Sequence, residues 1–155
     1  MKIPSVFKRY RKVVDSGLRA ALSGRSSPLY EMMRYHLGWR DESGNAVSNS
    51  SGKALRPTLC LLSCEAVCGA WRPALPAALS LELVHNFSLI HDDIQDDDRE
   101  RRGRPTVWTI WGKPQAINAG TAMRVLANSV LLGLGENGFS AEKQLKVQSM
   151  IDEST

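Results

Sequence analysis

"ALPAALSLELVHNFSLIHDDIQ", Ala74 to Gln95, decides the fold. It holds few β-branched residues and no glycine, and its apolar side chains recur at three- and four-residue spacing, so it predicts one long helix beginning near Pro73. No segment of the chain shows a convincing period-two alternation or an internal repeat, which excludes an extended sheet and a solenoid. The expected architecture is all-α.

The end of that helix is dense in charge. Between Leu89 and Thr106, in "LIHDDIQDDDRERRGRPT", six acidic side chains and four arginines share eighteen positions. At about 100° per residue, Asp96 lies about 40° round the helix from Asp92 and Ser88 about 40° the other way, with His85 two turns below on the same face. Carboxylates one turn apart repel, and the C-terminus is the negative end of the helix dipole, so Asp92, Asp93, Asp96, Asp97 and Asp98 are locally unfavourable there. Rules broken in this way mark functional sites. A hard divalent cation offsets the repulsion, and Mg²⁺ suits it because one or two carboxylates plus substrate phosphates commonly hold that ion. An EF-hand is excluded by the missing glycine at its sixth loop position. Arg99, Arg101, Arg102 and Arg104 supply guanidiniums beside the carboxylates, the pairing that a diphosphate ester needs.

"SGKALRP", residues 51–57, is a second cluster suited to phosphate. Gly52 permits close backbone approach, and Lys53 and Arg56 stand three apart at a helix start. It is not a P-loop, because Val47 and Ala54 occupy positions that motif reserves for Gly and Ser or Thr.

Composition fits a folded protein of one domain: 155 residues, 43% apolar, with a net charge of +4. That excess is too small, and aromatics too sparse between the basic residues, for a nucleic-acid-binding surface. No cleavable leader is evident and no apolar run approaches a membrane span, so a cytoplasmic location is expected. Cys60, Cys64 and Cys68 lie along one helical stripe and are expected to be reduced, buried thiols. Further helices are expected from Val6 to Leu22, with Phe7, Tyr10, Val13, Val14, Leu18 and Ala21 on its apolar side, from Pro28 to Leu37, from Lys53 to Cys68, through "PQAINAGTAMRVLANSVLLGL", and from Ala141 to Asp152. "GRP" at 103–105 predicts a turn.

Taken together, "GKALRP" at 52–57, "LELVHNFSLIHDDIQD" at 81–96 and "RRGRPT" at 101–106 resemble the trans-isoprenyl diphosphate synthases, the polyprenyl synthetase family, whose first aspartate-rich motif is DDxxD. The resemblance extends from about Met32 to Leu134. It implies an isoprenoid synthase-type helical bundle. It also implies a Mg²⁺-dependent, homodimeric enzyme that condenses isopentenyl diphosphate with an allylic diphosphate to give a farnesyl or geranylgeranyl (C15–C20) diphosphate. By that implication Asp92, Asp93 and Asp96 mark the Mg²⁺ motif, with Asp92 and Asp96 as direct ligands. Arg101 contacts the allylic diphosphate, while Lys53, Arg56, His85 and Arg102 bind isopentenyl diphosphate. Phe87 and Ser88, just before the motif, set product length.

The family's second aspartate-rich motif has no counterpart after Leu134. Residues 1–155 are therefore expected to form a single incomplete domain, the N-terminal half of the bundle, as a fragment, a truncated reading frame or a subunit whose partner supplies the other wall. A class I terpene cyclase shares the aspartate motif but has no use for an isopentenyl diphosphate site. A non-catalytic half-synthase serving a full-length partner is the alternative from another class.

Overall fold

The computed structural model describes residues 5–47, 52 and 54–154. Its helices are α1 (Ser5–Leu22), α2 (Pro28–His36), α3 (Leu55–Cys68), α4 (Leu75–Gln95), α5 (Val107–Trp111), α6 (Lys113–Leu131), α7 (Gly133–Glu136) and α8 (Ala141–Glu153). The only paired strands among the described residues are β1 (Glu100–Arg101) and β2 (Arg104–Pro105), an antiparallel hairpin two residues long on each side. The fold is all-α, as expected, and α4 covers the expected stretch, its α-helix starting at Leu75 rather than Pro73. The chain divides into two compact units, and α4 and α6 each run through both.

One unit comprises α1, α3, the first half of α4, the end of α6, α7 and α8. In α1, Tyr10, Val14, Leu18 and Leu22 recur every four residues and are all buried, which places one apolar stripe against the unit's core. Phe7, Val13 and Ala21 flank that stripe half-buried, and the Val6 side chain lies outside the described residues. Tyr10 and Arg9 both reach Glu65 on α3: the tyrosine hydroxyl donates to Oε2, and Arg9 Nη2 donates to Oε1 at 3.2 Å. The Tyr10 ring also meets Trp71 edge-on, 6.0 Å between centroids. Gly17 lets α1 approach α4, since a Cβ there would sit 2.8 Å from the Leu79 side chain. Ser140 caps α8, accepting from the Lys143 backbone N–H.

The cysteine stripe departs from expectation. Cys60 and Cys64 are half-buried and Cys68 is exposed. The buried residues of α3 are Pro57, Thr58 and Leu61, and Cys60 lies about 100° round from Leu61, off that face. Cys68 shares the face of Leu61 but stands two turns on, in the last turn of the helix.

The other unit holds α2, the segment that follows it to Gly52, the second half of α4, the hairpin, α5 and most of α6. Met32, Met33, Tyr35, Leu37, Trp39, Ile90, Val107, Ala116, Ala119 and Met123 form its core. The stretch Lys113–Glu136 is long and apolar enough to cross a membrane by length and composition, contrary to the expectation of no such run. Its buried residues Ala116, Ala119, Met123, Leu126, Ala127 and Leu131 fall at helical spacing on one stripe, the pattern of a helix facing protein along one side. At Gly120 the helix comes so close to α4 that an added Cβ would lie 2.5 Å from Nε2 of His91, whose ring fills the space a side chain would take.

Candidate functional site

The helical ladder of α4 continues past its last residue, because the Asp96 N–H donates to the Asp92 carbonyl at 2.9 Å. Asp92 and Asp96 therefore stand one turn apart, and both are exposed. Asp93, between them, points inward and is only 1% exposed. Its Oδ1 accepts a hydrogen bond of 2.7 Å from Nε of Arg101, while Oδ2 has no protein partner. Burial raises the Asp93 pKa, and the Arg101 guanidinium opposes that rise. Arg101 is thereby anchored through Nε, and this bond leaves its two terminal amino groups for other acceptors.

The rest of the acidic run makes contacts of its own, Asp97 through its carboxylate and Asp98 through its backbone carbonyl. Asp97 takes a left-handed backbone conformation, φ 53°, and pairs with Lys113, which holds its carboxyl below the usual range. The Asp98 carbonyl accepts from the Thr106 hydroxyl at 2.9 Å and from Trp108 Nε1 at 2.8 Å. The chain thus turns away from the helix immediately after Asp96. Among the described residues, no cluster of three or more His, Cys, Asp or Glu side chains converges as a complete metal cage. Two exposed oxygen donors one turn apart suit a cation that completes its shell with water and phosphate oxygens, which is the habit of Mg²⁺.

The hairpin presents the arginines. Arg102 and Gly103 both have positive φ, 55° and 72°, the conformation of a tight two-residue turn between strands. Arg102 is exposed at that turn, and its guanidinium lies against the backbone of Gly52: a Cβ there would fall 2.8 Å from Nη2. The head of "GKALRP" and the tip of "RRGRPT" therefore meet at Gly52 and Arg102. Lys53 itself lies outside the described residues. Arg56 is exposed in the first turn of α3, in the other unit. His85, Phe87 and Ser88 are half-buried on α4; Phe87 packs edge-on to His91 at 5.2 Å, and the Ser88 hydroxyl donates to the His85 carbonyl at 2.9 Å.

Sequence reasoning missed a supporting group on α2 and the hairpin. Arg104 donates to the carbonyls of Tyr35 and Arg40, at 3.3 and 2.7 Å, with its guanidinium carbon 4.1 Å from the centre of the Tyr35 ring. The Tyr35 hydroxyl in turn donates to the Pro105 carbonyl at 2.7 Å. His36 bonds to Asn86; burial of its ring and the neighbouring guanidiniums of Arg102 and Arg101 lower its pKa to about 3. Tyr35, His36, Asp93, Arg101, Arg102 and Arg104 line a cavity of about 100 Å³. The signal available was a tyrosine and a histidine side by side in "MMRYHLGW", residues 32–39.

The polyprenyl synthetase family model matches residues 38–155. Among curated proteins, a (2E,6E)-farnesyl diphosphate synthase of Mycobacterium tuberculosis is 54% identical over 65% of this chain and 28% of its own length. A geranylgeranyl diphosphate synthase of the same species is 40% identical over 84% of the chain and 37% of its own length. The crystal structure of a polyprenyl synthetase from Streptomyces coelicolor A3(2) superposes with a TM-score of 0.81 at 42% identity, covering 97% of this chain and 46% of that one. The chain thus spans less than half the length of each of these relatives. The family model matches well over half of the chain, and the chain belongs to the polyprenyl synthetase family.

Proposed function

We propose that the protein is a short-chain trans-prenyltransferase, joining isopentenyl diphosphate to an allylic diphosphate with Mg²⁺. The observation that carries this reading is the division of labour in "DDIQD": Asp92 and Asp96 exposed one turn apart, Asp93 buried and fastening Arg101. Asp92 and Asp96 would hold Mg²⁺, which when bound neutralises the charge developing on a leaving diphosphate. Arg101, fixed by Asp93, offers its terminal amino groups to the allylic diphosphate. Isopentenyl diphosphate binding is assigned to Lys53, Arg56, His85 and Arg102, the set the family resemblance implies, with Arg102 at the hairpin tip beside Gly52. Phe87 stands five residues before Asp92 and narrows the space for the growing chain, which fits the farnesyl and geranylgeranyl products in the relatives' names.

The test is turnover by the purified chain, given Mg²⁺, labelled isopentenyl diphosphate and each allylic diphosphate in turn. Elongated product that disappears in Asp92→Ala supports the reading. A folded chain that binds neither diphosphate in the presence of Mg²⁺ overturns it.

A further inference from the structure

We infer that Cys64 and Cys68 form a two-thiolate site for a soft, low-coordinate d¹⁰ cation, with Cu(I) as the fitting ion. The site has no part in prenyl transfer and does not depend on that reading. The two sulfurs lie 3.4 Å apart on successive turns at the end of α3. Gly69 follows with φ 72°, a left-handed helix cap that turns the chain back. The turn carries the Ala70 carbonyl oxygen to 3.2 Å from the Cys64 sulfur and 3.4 Å from that of Cys68. Two thiols and one carbonyl thus converge where a helix alone would have kept its side chains in a line. Burial and the neighbouring Cys68 thiol raise the Cys64 pKa, and the backbone N–H of Ala74 opposes that rise, so the thiol proton leaves with metal binding rather than before it.

The donor set selects the ion. Thiolate prefers soft cations and disfavours Mg²⁺ or Ca²⁺. Zinc and iron–sulfur centres require four strong ligands, and among the described residues no histidine, carboxylate or third cysteine completes such a set here. Cu(I) is satisfied by two thiolates. Cys68 is exposed, so the ion has a path in from solvent. Binding releases the two S–H protons to solvent and leaves copper as Cu(I), so no electron is transferred.

The experiment uses the whole chain, reduced and without oxygen, competing for Cu(I) against the chelator bicinchoninate. One equivalent of copper should pass to the protein, with a thiolate-to-copper charge-transfer band, and thermal unfolding should show each variant folded. Both Cys64→Ser and Cys68→Ser should lose that equivalent, while Cys60→Ser keeps it. Alkylation of the unaltered chain, read by mass spectrometry, gives a measurement without mutation: bound copper should protect Cys64 and Cys68 and leave Cys60 reactive. Copper left with the chelator, copper retained after loss of either Cys64 or Cys68, or protection centred on Cys60 would each overturn the assignment.

Discussion

The three aspartates of one motif do two kinds of work, and burial separates them. Asp92 and Asp96 face solvent, whereas Asp93 is buried and joined to Arg101. Asp92→Ala removes half of the proposed cation site, so turnover should fall about 10²–10³-fold, the scale for losing one group that stabilises transition-state charge. Asp97→Ala, whose carboxylate pairs on the surface with Lys113, should leave turnover unchanged. Equal losses in the two variants, measured under single-turnover conditions, would mean that bulk negative charge rather than position matters. Phe87→Ala should lengthen the product, because the ring that packs against His91 disappears from below the motif. An unaltered product distribution by chromatography would remove Phe87 from that role.

At the scale of elements, the regular pieces were legible and the short ones were not. The α4 helix could be read because its twenty-one positions hold one helical periodicity and no glycine. The β1–β2 hairpin could not, since two residues per strand carry no alternation; only the "GRP" turn announced it. For the same reason Arg104 read as one more cation beside the site, although its geometry makes it a clasp binding α2 to the hairpin through two carbonyls and the Tyr35 ring. Arg104→Ala strips both carbonyls of a charged donor and should destabilise the protein by about 1.5–3 kcal/mol in urea unfolding. Arg104→Lys, able to point at one carbonyl but not to stack a planar fork on the ring, should recover only part of it. The Gly120 crossing makes a steric prediction of its own. Gly120→Ala sets a methyl against His91 and should cost about 1–3 kcal/mol, the usual penalty for overpacking a filled interior.

Over the whole chain, two buried groups near the site give stability a pH dependence whose signs oppose each other. His36 has a folded pKa of about 3, so as pH falls below its ordinary value near 6.5 the unfolded chain takes up a proton that the folded chain refuses. Its contribution is therefore fully present above pH ~6.5 and is lost progressively on acidification, by about 2 kcal/mol at pH ~5. Asp93 acts in reverse: its raised pKa means that the folded state holds a proton more tightly, so its contribution is present at low pH and is lost as pH rises through the raised value. Neither effect was visible in sequence, because both depend first on burial in three dimensions, with the Arg102 and Arg101 guanidiniums adding to the shift of His36 and Arg101 opposing that of Asp93. On acidification the His36 loss begins near its ordinary value, about 6.5, and the Asp93 contribution opposes it once pH reaches that group's raised value. The midpoint of thermal unfolding, followed by circular dichroism, should therefore fall between pH 6.5 and 5. His36→Gln should flatten that fall, having no proton to refuse, and Asp93→Asn should steepen it at the acid end, where the compensating protonation is gone. A His36→Gln profile parallel to that of the unaltered chain would place the acid sensitivity elsewhere in the protein.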